Sequence, residues 1–506
     1  MKKIFVFLMV ISMMFIVSCD PDSEDSVNVN TPNNPVDPNA EKPWLNFATW
    51  NDYLSDKYKK PFGWDAANGI GPLKAEINHD MLAEEYFHAK GLNAGWNLGN
   101  TYDLTSNPRA LAANSNYPGL MKGIKDAGFN VIRIPSSWGV STGSPTITSA
   151  FLDDVEAAVK AAHDAGLVVF INTHHMKQFF DLNKAGESYK TDLEEGAEFK
   201  RLATLFQVTW VDIANRFKDY GDWLIFESLN EPTISEGGQV RWDGAPLQYM
   251  LTLNHWNQVF VDAVRDTGGN NEKRYLIFKS YAGKLGTALN KDNQFKVPDD
   301  LAGEGRLIFS FHSYVPQPLG LEGQSTDWSD IHGNSYASMF KQAQDNYLVK
   351  GIPVFMGETG ATFHSQRSGT GPESGTNGSS ATANKNRLLL LNALGYHART
   401  FGIIPCLWDN GEATRGASQS NPNGETFAMF RRKPAHDNNS SNYGLPIDHT
   451  RVNGGNVGFL YSTGGAAMNS GNTAASDSDF GKRTLEAFID AVNGKKPLGE
   501  PRFEPQ

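Results

Sequence analysis

Short apolar runs recur along the chain, with helix-like stretches between them. The first four are LNAGWNLG (92–99), NVIRIP (130–135), LVVFINTHH (167–175) and WLIFESLNE (223–231). The next four are RYLIFKS (274–280), RLIFSFHSY (306–314), IPVFMGE (352–358) and GIIPCLWD (402–409). Most are near-continuous in Val, Ile, Leu and Phe rather than alternating, which marks strands buried on both faces of a parallel sheet. Between them, FLDDVEAAVKAAHDAG (151–166) sets apolar and Ala residues at helical spacing and ends on Gly. KNRLLLLNALGYHARTFG (385–402) and KRTLEAFIDAVNG (482–494) repeat the pattern. Eight strand–helix units predict an α/β chain folded as a (β/α)₈ TIM barrel. The rival, an open doubly wound sheet, lacks its Gly-rich phosphate loop after the first strand. Long loops, 359–384 and 410–481, follow strands seven and eight.

The N-terminus departs from this pattern. Lys2 and Lys3 precede an apolar stretch from Ile4 to Val17, too short for a comfortable permanent span, and Ser18-Cys19 follows. The string IVSC resembles the lipobox of bacterial lipoproteins, which implies cleavage and lipidation at Cys19, with an ordinary secretory signal as the alternative. Residues 20–43 are polar, acidic and Pro-rich, too poor in apolar surface to order themselves, and read as a flexible tether. Acidic residues behind the Cys resemble the export signals of Bacteroidetes-type surface lipoproteins. Residues 44–84 form an extension of undetermined role, either cap or appendage, and 85–498 the barrel domain. Cys406 is the sole other cysteine, so a lipidated Cys19 leaves no disulfide to form.

The chain has 506 residues, 40% of them apolar, with a formal charge of −11 and no basic cluster beyond the N-terminus. Nucleic acid is therefore not an expected partner. Eleven Trp and 16 Tyr offer flat amphipathic surface suited to sugars or to a core.

In a barrel of this kind the active site lies at the C-terminal ends of the strands. There the sequence places Arg133, His174 with His175, Asn230 with Glu231, His312 with Tyr314, Glu358 and Trp408. Glu231 and Glu358, at the ends of strands four and seven, would face each other across the mouth. Two such carboxyls are the equipment for cutting a glycosidic bond. Either one alone would more simply be a helix cap or a salt bridge. Glu227, four residues before Glu231, is expected to be a buried structural partner of Arg133.

GWNLGNTYD, VIRIP, INTHH, FESLNEP, FSFHSY, VFMGETG and PCLWDNG together resemble the successive motifs of glycoside hydrolase family five. That resemblance spans roughly residues 85–495, with the motifs in the right order. It implies a retaining β-glycosidase with Glu231 as acid/base and Glu358 as nucleophile. It also implies that Asn230 holds a sugar hydroxyl, that Arg133 and Tyr314 bond the nucleophile, and that His174 and His312 are active-site histidines. Trp408 matches the aromatic floor under the cleaved sugar. Met176 departs from the family, where many relatives carry an acidic residue.

Candidate sugar platforms are Trp96, Trp138, Phe179, Phe180, Trp242, Trp328 and Tyr461, with His175 as a further substrate contact. Trp210 and Trp256 fall in helix patterns and read as core. Adjacent histidines project to opposite faces of a strand and no third ligand group accompanies them, so no catalytic metal is expected. A structural calcium in the long loops stays open, and no cofactor is expected. The expected protein is a monomeric outer-membrane lipoprotein at the cell surface, an endo-β-1,4-glucanase acting on cellulose, mixed-linkage glucan or xyloglucan. Alternatives are a β-mannanase of the same family and a non-catalytic glycan-binding lipoprotein, which the presence of both glutamates disfavours.

Overall fold

The computed structural model describes residues 42–104, 116–138, 147–176, 181–189, 196–316, 330–362, 380–411, 427–430, 432, 451–452, 455–456 and 480–495. Cys19, Phe179, Phe180, Trp328 and Tyr461 lie outside them, as do most of the two long loops.

All eight expected strands form, each within or one residue beyond its apolar run. They are β1 (Gly95–Asn97), β2 (Val131–Ile134), β3 (Val168–Asn172), β4 (Leu224–Glu227), β5 (Leu276–Lys279), β6 (Leu307–His312), β7 (Val354–Thr359) and β8 (Ile404–Leu407). Every neighbouring pair is parallel, and β8 pairs back onto β1, closing a (β/α)₈ barrel. A short hairpin of Ile234–Glu236 and Gln239–Arg241 leaves the mouth just after β4.

The helices lie where periodicity placed them. Ser149–Asp164 starts at Thr148, whose hydroxyl accepts the Phe151 N–H, and presents Phe151, Val155, Ala158, Val159 and Ala162 to the core. Ser380–Phe401 and Phe480–Val492 cover the other two expected stretches. Trp210 and Trp256 lie on helices Ala197–Arg216 and Leu247–Asp266 and are buried, as expected of core residues.

Register decides what the interior contains. Directly paired residues of a parallel sheet share a face, so Asn97 and Arg133 point together, as do Asn172 and Glu227, and Lys279 and Ser310. Phe170 of β3 meets Phe355 of β7 edge-on at 4.6 Å and fills the barrel below them. Strand β7 carries one residue too many. Phe311 pairs with Met356 but His312 pairs with Glu358, so a bulge falls at Gly357. A Cβ there would stand 2.9 Å from His312 Nε2 and 3.0 Å from Ser310 Oγ, so only glycine fits.

The segment before β1 floors the barrel. Trp223 donates to the Pro72 carbonyl, Asn270 to Ala75 and Ala83 N to Gly305, which are points at or just before the starts of β4, β5 and β6. Helix Ala83–Lys90 turns Phe87 toward Phe170, and helix Trp50–Tyr58 buries Trp50 against Gly402, just ahead of β8. The described part of the extension is thus packed at the end of the barrel where the strands start. Trp50→Ala is expected to cost about 3–5 kcal/mol of stability, as for other buried aromatics, while kcat and KM of the folded variant stay unchanged. Denaturant melts with parallel kinetics check this; a large fall in kcat would place the segment at the site.

Candidate active site

The mouth of the barrel is built around one arginine. Arg133 leaves β2 into the interior with no accessible surface. Its Nε donates to Glu227 Oε2 at 2.6 Å, and Nη1 to Glu358 Oε1 at 2.8 Å and Asn97 Oδ1 at 3.1 Å. Nη2 donates to Asn230 Oδ1 at 2.7 Å. Four of its five N–H groups are thereby used on residues of β1, β4, β7 and the segment after β4. Glu227 is the structural partner expected of it, but not of it alone: Lys279 Nζ donates to Glu227 Oε1 at 2.7 Å. Burial pushes the Glu227 carboxyl up, and Arg133 followed by Lys279 overcomes this and brings it below its ordinary range.

The two mouth carboxylates are treated differently. Glu358 is 7% exposed and takes a bond from Tyr314 Oη at 3.1 Å as well as from Arg133. Burial raises its pKa, with Arg133 as the chief opposing influence. Glu231 is 24% exposed and meets His312 Nδ1 at 2.8 Å. The same nitrogen lies 3.6 Å from Glu358. Oxygens of the two carboxyls and a His312 nitrogen all lie within 4.8 Å of one another. Beside Glu231 opens a cleft of about 650 Å³, walled by His175, Asn230, Glu187, Lys184 and Trp242.

His174 stacks on Trp408 with ring planes 7° apart and centroids 5.9 Å apart, and burial holds its pKa well below the ordinary value. Trp408 lies over Gly99, where a Cβ would come within 2.7 Å of the indole. Trp242, on the residue after the hairpin, is 43% exposed and faces the cleft.

Three expectations need correction. Trp96 and Trp138 are wholly buried and offer no face to a sugar. Trp96 is turned away from the interior, where Phe430 meets its ring edge-on and the Arg432 guanidinium covers its face at 5.6 Å. Trp138 donates its indole N–H to the Asn172 carbonyl at 2.8 Å. The histidine pair also differs: β3 ends at Asn172, so strand alternation does not govern His174 and His175. Their ring centroids lie 4.3 Å apart, and with Asp103 they form a group of possible metal-binding atoms within 4.8 Å. Asp103 accepts the Thr101 and Asn100 amide N–H groups, and burial pushes its pKa up to about 6. In the second such group, Glu231, His312 and Glu358, the adjoining charges of Lys279 and Arg133 oppose a further cation.

Sequence reasoning gave no role to Lys279, Asn97, Asp103, Asp409 or Arg432. Lys279 had a signal: a charged residue closing a strand run otherwise made for burial. Arg432, which bonds the Gly99 and Asp409 carbonyls at 2.7 Å, had none, because it falls in a loop without periodicity.

A barrel that brings paired carboxyls, an arginine and aromatic rings together at its C-terminal mouth defines a glycoside hydrolase. The chain belongs to the cellulase family, glycosyl hydrolase family 5, whose model matches residues 93–413. It is 31% identical to Endoglucanase A of Ruminococcus albus over 354 residues, 67% of this chain and 86% of that protein. Among solved structures, ZgEngAGH5_4 in complex with a cellotriose aligns with a TM-score of 0.59 at 26% identity, covering 82% of this chain and 100% of that one. A family 5 xyloglucanase from Paenibacillus pabuli aligns with a TM-score of 0.55 at 25% identity, covering 79% and 98%. The protein is accordingly an endoglucanase-type, cellulase-type glycoside hydrolase.

Arg133→Ala leaves Glu227 and Glu358 short of a buried cation and is expected to cost about 3–5 kcal/mol. In protein that still folds, Glu358 loses the chief group that lowers its pKa, so the acidic limb of the kcat/KM profile moves to higher pH. The fall in kcat should exceed the rise in KM. An unchanged profile and kcat would show that Glu358 does not depend on Arg133.

Proposed function

We propose that this enzyme is a retaining endo-β-1,4-glucanase acting on a plant cell-wall β-glucan by double displacement. The observation that carries the retaining mechanism is the carboxyl separation. One oxygen of Glu231 and one of Glu358 come within 4.8 Å of each other, a closeness that favours the roughly 5–5.5 Å carboxyl separation of retaining sites over the 6.5–9.5 Å that leaves room for an attacking water.

The environments divide the labour. Glu358, enclosed and held by Arg133 and Tyr314, is the nucleophile that attacks the anomeric carbon. Glu231, more open and on the cleft, gives its proton to the departing oxygen and later takes one from the attacking water. Asn230 has its carbonyl oxygen fixed by Arg133, which leaves its amide N–H groups to donate to a sugar hydroxyl beside the reacting carbon. Trp242 is the sugar platform in the cleft, and Trp408 lies under the cleaved residue with His174 against its face.

Cellulose, mixed-linkage glucan and xyloglucan are the proposed substrates. This reading is supported by the endoglucanases among the relatives, the cellotriose bound to one structural neighbour and the xyloglucanase activity named for another. The string ending at Cys19 supports lipid anchoring, and the acidic tether supports display on the outer face of the outer membrane.

Two experiments test these assignments. Glu231→Ala should be severely impaired on a natural glucan, yet release the phenolate of an activated aryl cellobioside and accumulate glycosyl-enzyme. Added azide should then give the β-glycosyl azide, two displacements having occurred. Glu358→Ala should be inert on both substrates, and azide rescue should give the α-anomer by a single displacement. Exchanged anomers reverse the two roles, and inversion in the first product of the unaltered enzyme ends the retaining reading. Separately, Cys19→Ala should abolish incorporation of labelled fatty acid while hydrolysis by the folded domain persists. Equal labelling of that variant would refute the anchor.

A further inference from the structure

Lys279 closes β5 with its side chain wholly inside the barrel, an expensive place for an ammonium. Its three N–H bonds have three acceptors. Glu227 Oε1 lies at 2.7 Å, Ser310 Oγ at 2.8 Å and His312 Nε2 at 2.6 Å. The third contact decides a proton position. A charged lysine can only donate, so Nε2 of His312 must offer its lone pair, and the ring proton belongs on Nδ1. Nδ1 is the nitrogen that meets Glu231 at 2.8 Å. A second ring proton is opposed from several sides, by burial first and then by the charges of Lys279 and Arg133. The imidazole is therefore neutral, with its single N–H aimed at the open carboxyl.

We propose that Lys279 is a positioning residue for the acid/base step, acting through His312 to keep an N–H donor directed at Glu231. This rests on the assignment of Glu231 as acid/base. When Glu231 gives its proton to the leaving oxygen it becomes a carboxylate, and a donor already in place strengthens its bond as that charge develops. Without Lys279 the ring can adopt the other tautomer. The Nδ1 lone pair then faces Glu231 and favours its protonated form, the wrong side of the transfer. The charged groups around Lys279 are Glu227 of β4, Glu358 of β7 and Arg133 of β2, with His312 and Ser310 presented by β6. Two cations and two carboxylates balance there, so Glu227 and Glu358 offset much of the cost of burying Lys279, although burial still brings its pKa below the ordinary value. Its contact with the imidazole is additional to that balance.

The test compares Lys279→Met with the charge-balanced double variant Lys279→Met/Glu227→Gln, which keeps the interior neutral where the single variant is prone to misfold. Cellotetraose has a poor leaving group and needs the acid; 2,4-dinitrophenyl β-cellobioside does not. Both variants should lose roughly 10–100-fold in kcat on cellotetraose. KM and the burst rate of dinitrophenolate release should each stay within about 3-fold of the unaltered enzyme. The single variant should also shift its kcat/KM profile to higher pH, since removing a cation raises the pKa of Glu358. Equal losses on both substrates would assign Lys279 a purely structural role, as would full recovery of cellotetraose turnover in the double variant. Glu231→Ala is run in parallel. If that variant shows no leaving-group dependence, the acid/base assignment itself fails; if it does and the Lys279 variants do not, only the present proposal fails.

Discussion

The guanidinium of Arg133 is the constraint on which the mouth of this barrel depends. A cation with no access to water is tolerable only if nearly every N–H finds an acceptor and its charge is opposed close by. Glu227, Glu358, Asn97 and Asn230 meet that requirement from three other strands and the segment after β4. Their positions are consequently not independent. The planar fork sets the angle of the Glu358 carboxylate and the flip of the Asn230 amide in one rigid unit, which a lysine's single ammonium could not do.

A second cation divides the interior into a fixed part and a working part. Arg133 and Lys279 balance Glu227 and Glu358, while Glu231 stands at the open rim, the more exposed of the two mouth carboxyls. His312 connects the two parts, touching Lys279 with one nitrogen and Glu231 with the other. The low-dielectric surroundings that make such a network costly also strengthen each contact within it.

Much of this was legible in the sequence, for a physical reason. Strands buried on both faces cannot hide their composition, so the eight runs located all eight strands, and polar residues at their ends located the mouth. What the pattern could not give was direction. Trp96 stands one residue before the strand-end Asn97, and alternation turns it outward beneath Arg432, a residue from far along the chain. In β7, strict alternation from the inward Phe355 would have turned Glu358 away from the mouth; the bulge at Gly357 corrects the count. Lys279 is the last residue of β5 as His312 is of β6, but RYLIFKS holds no carboxylate, histidine or matching motif to mark it.

The floor beneath the barrel has a consequence for how the molecule is made. Residues that close the bottom and open the sheet leave the ribosome ahead of the rest of the barrel, yet some of their partners are its last parts to appear. Trp50 packs at Gly402, β1 pairs with β8, and Asn93 bonds Asn493, 400 residues downstream. Until β8 emerges, the edge of β1 away from β2 and the Trp50 side of the floor lack the partners that cover them. Such distant pairings make closure slow and leave the nascent chain exposed to wrong partners. For this barrel, synthesis and folding cannot proceed in step: its earliest strand is among the last to be secured on both edges.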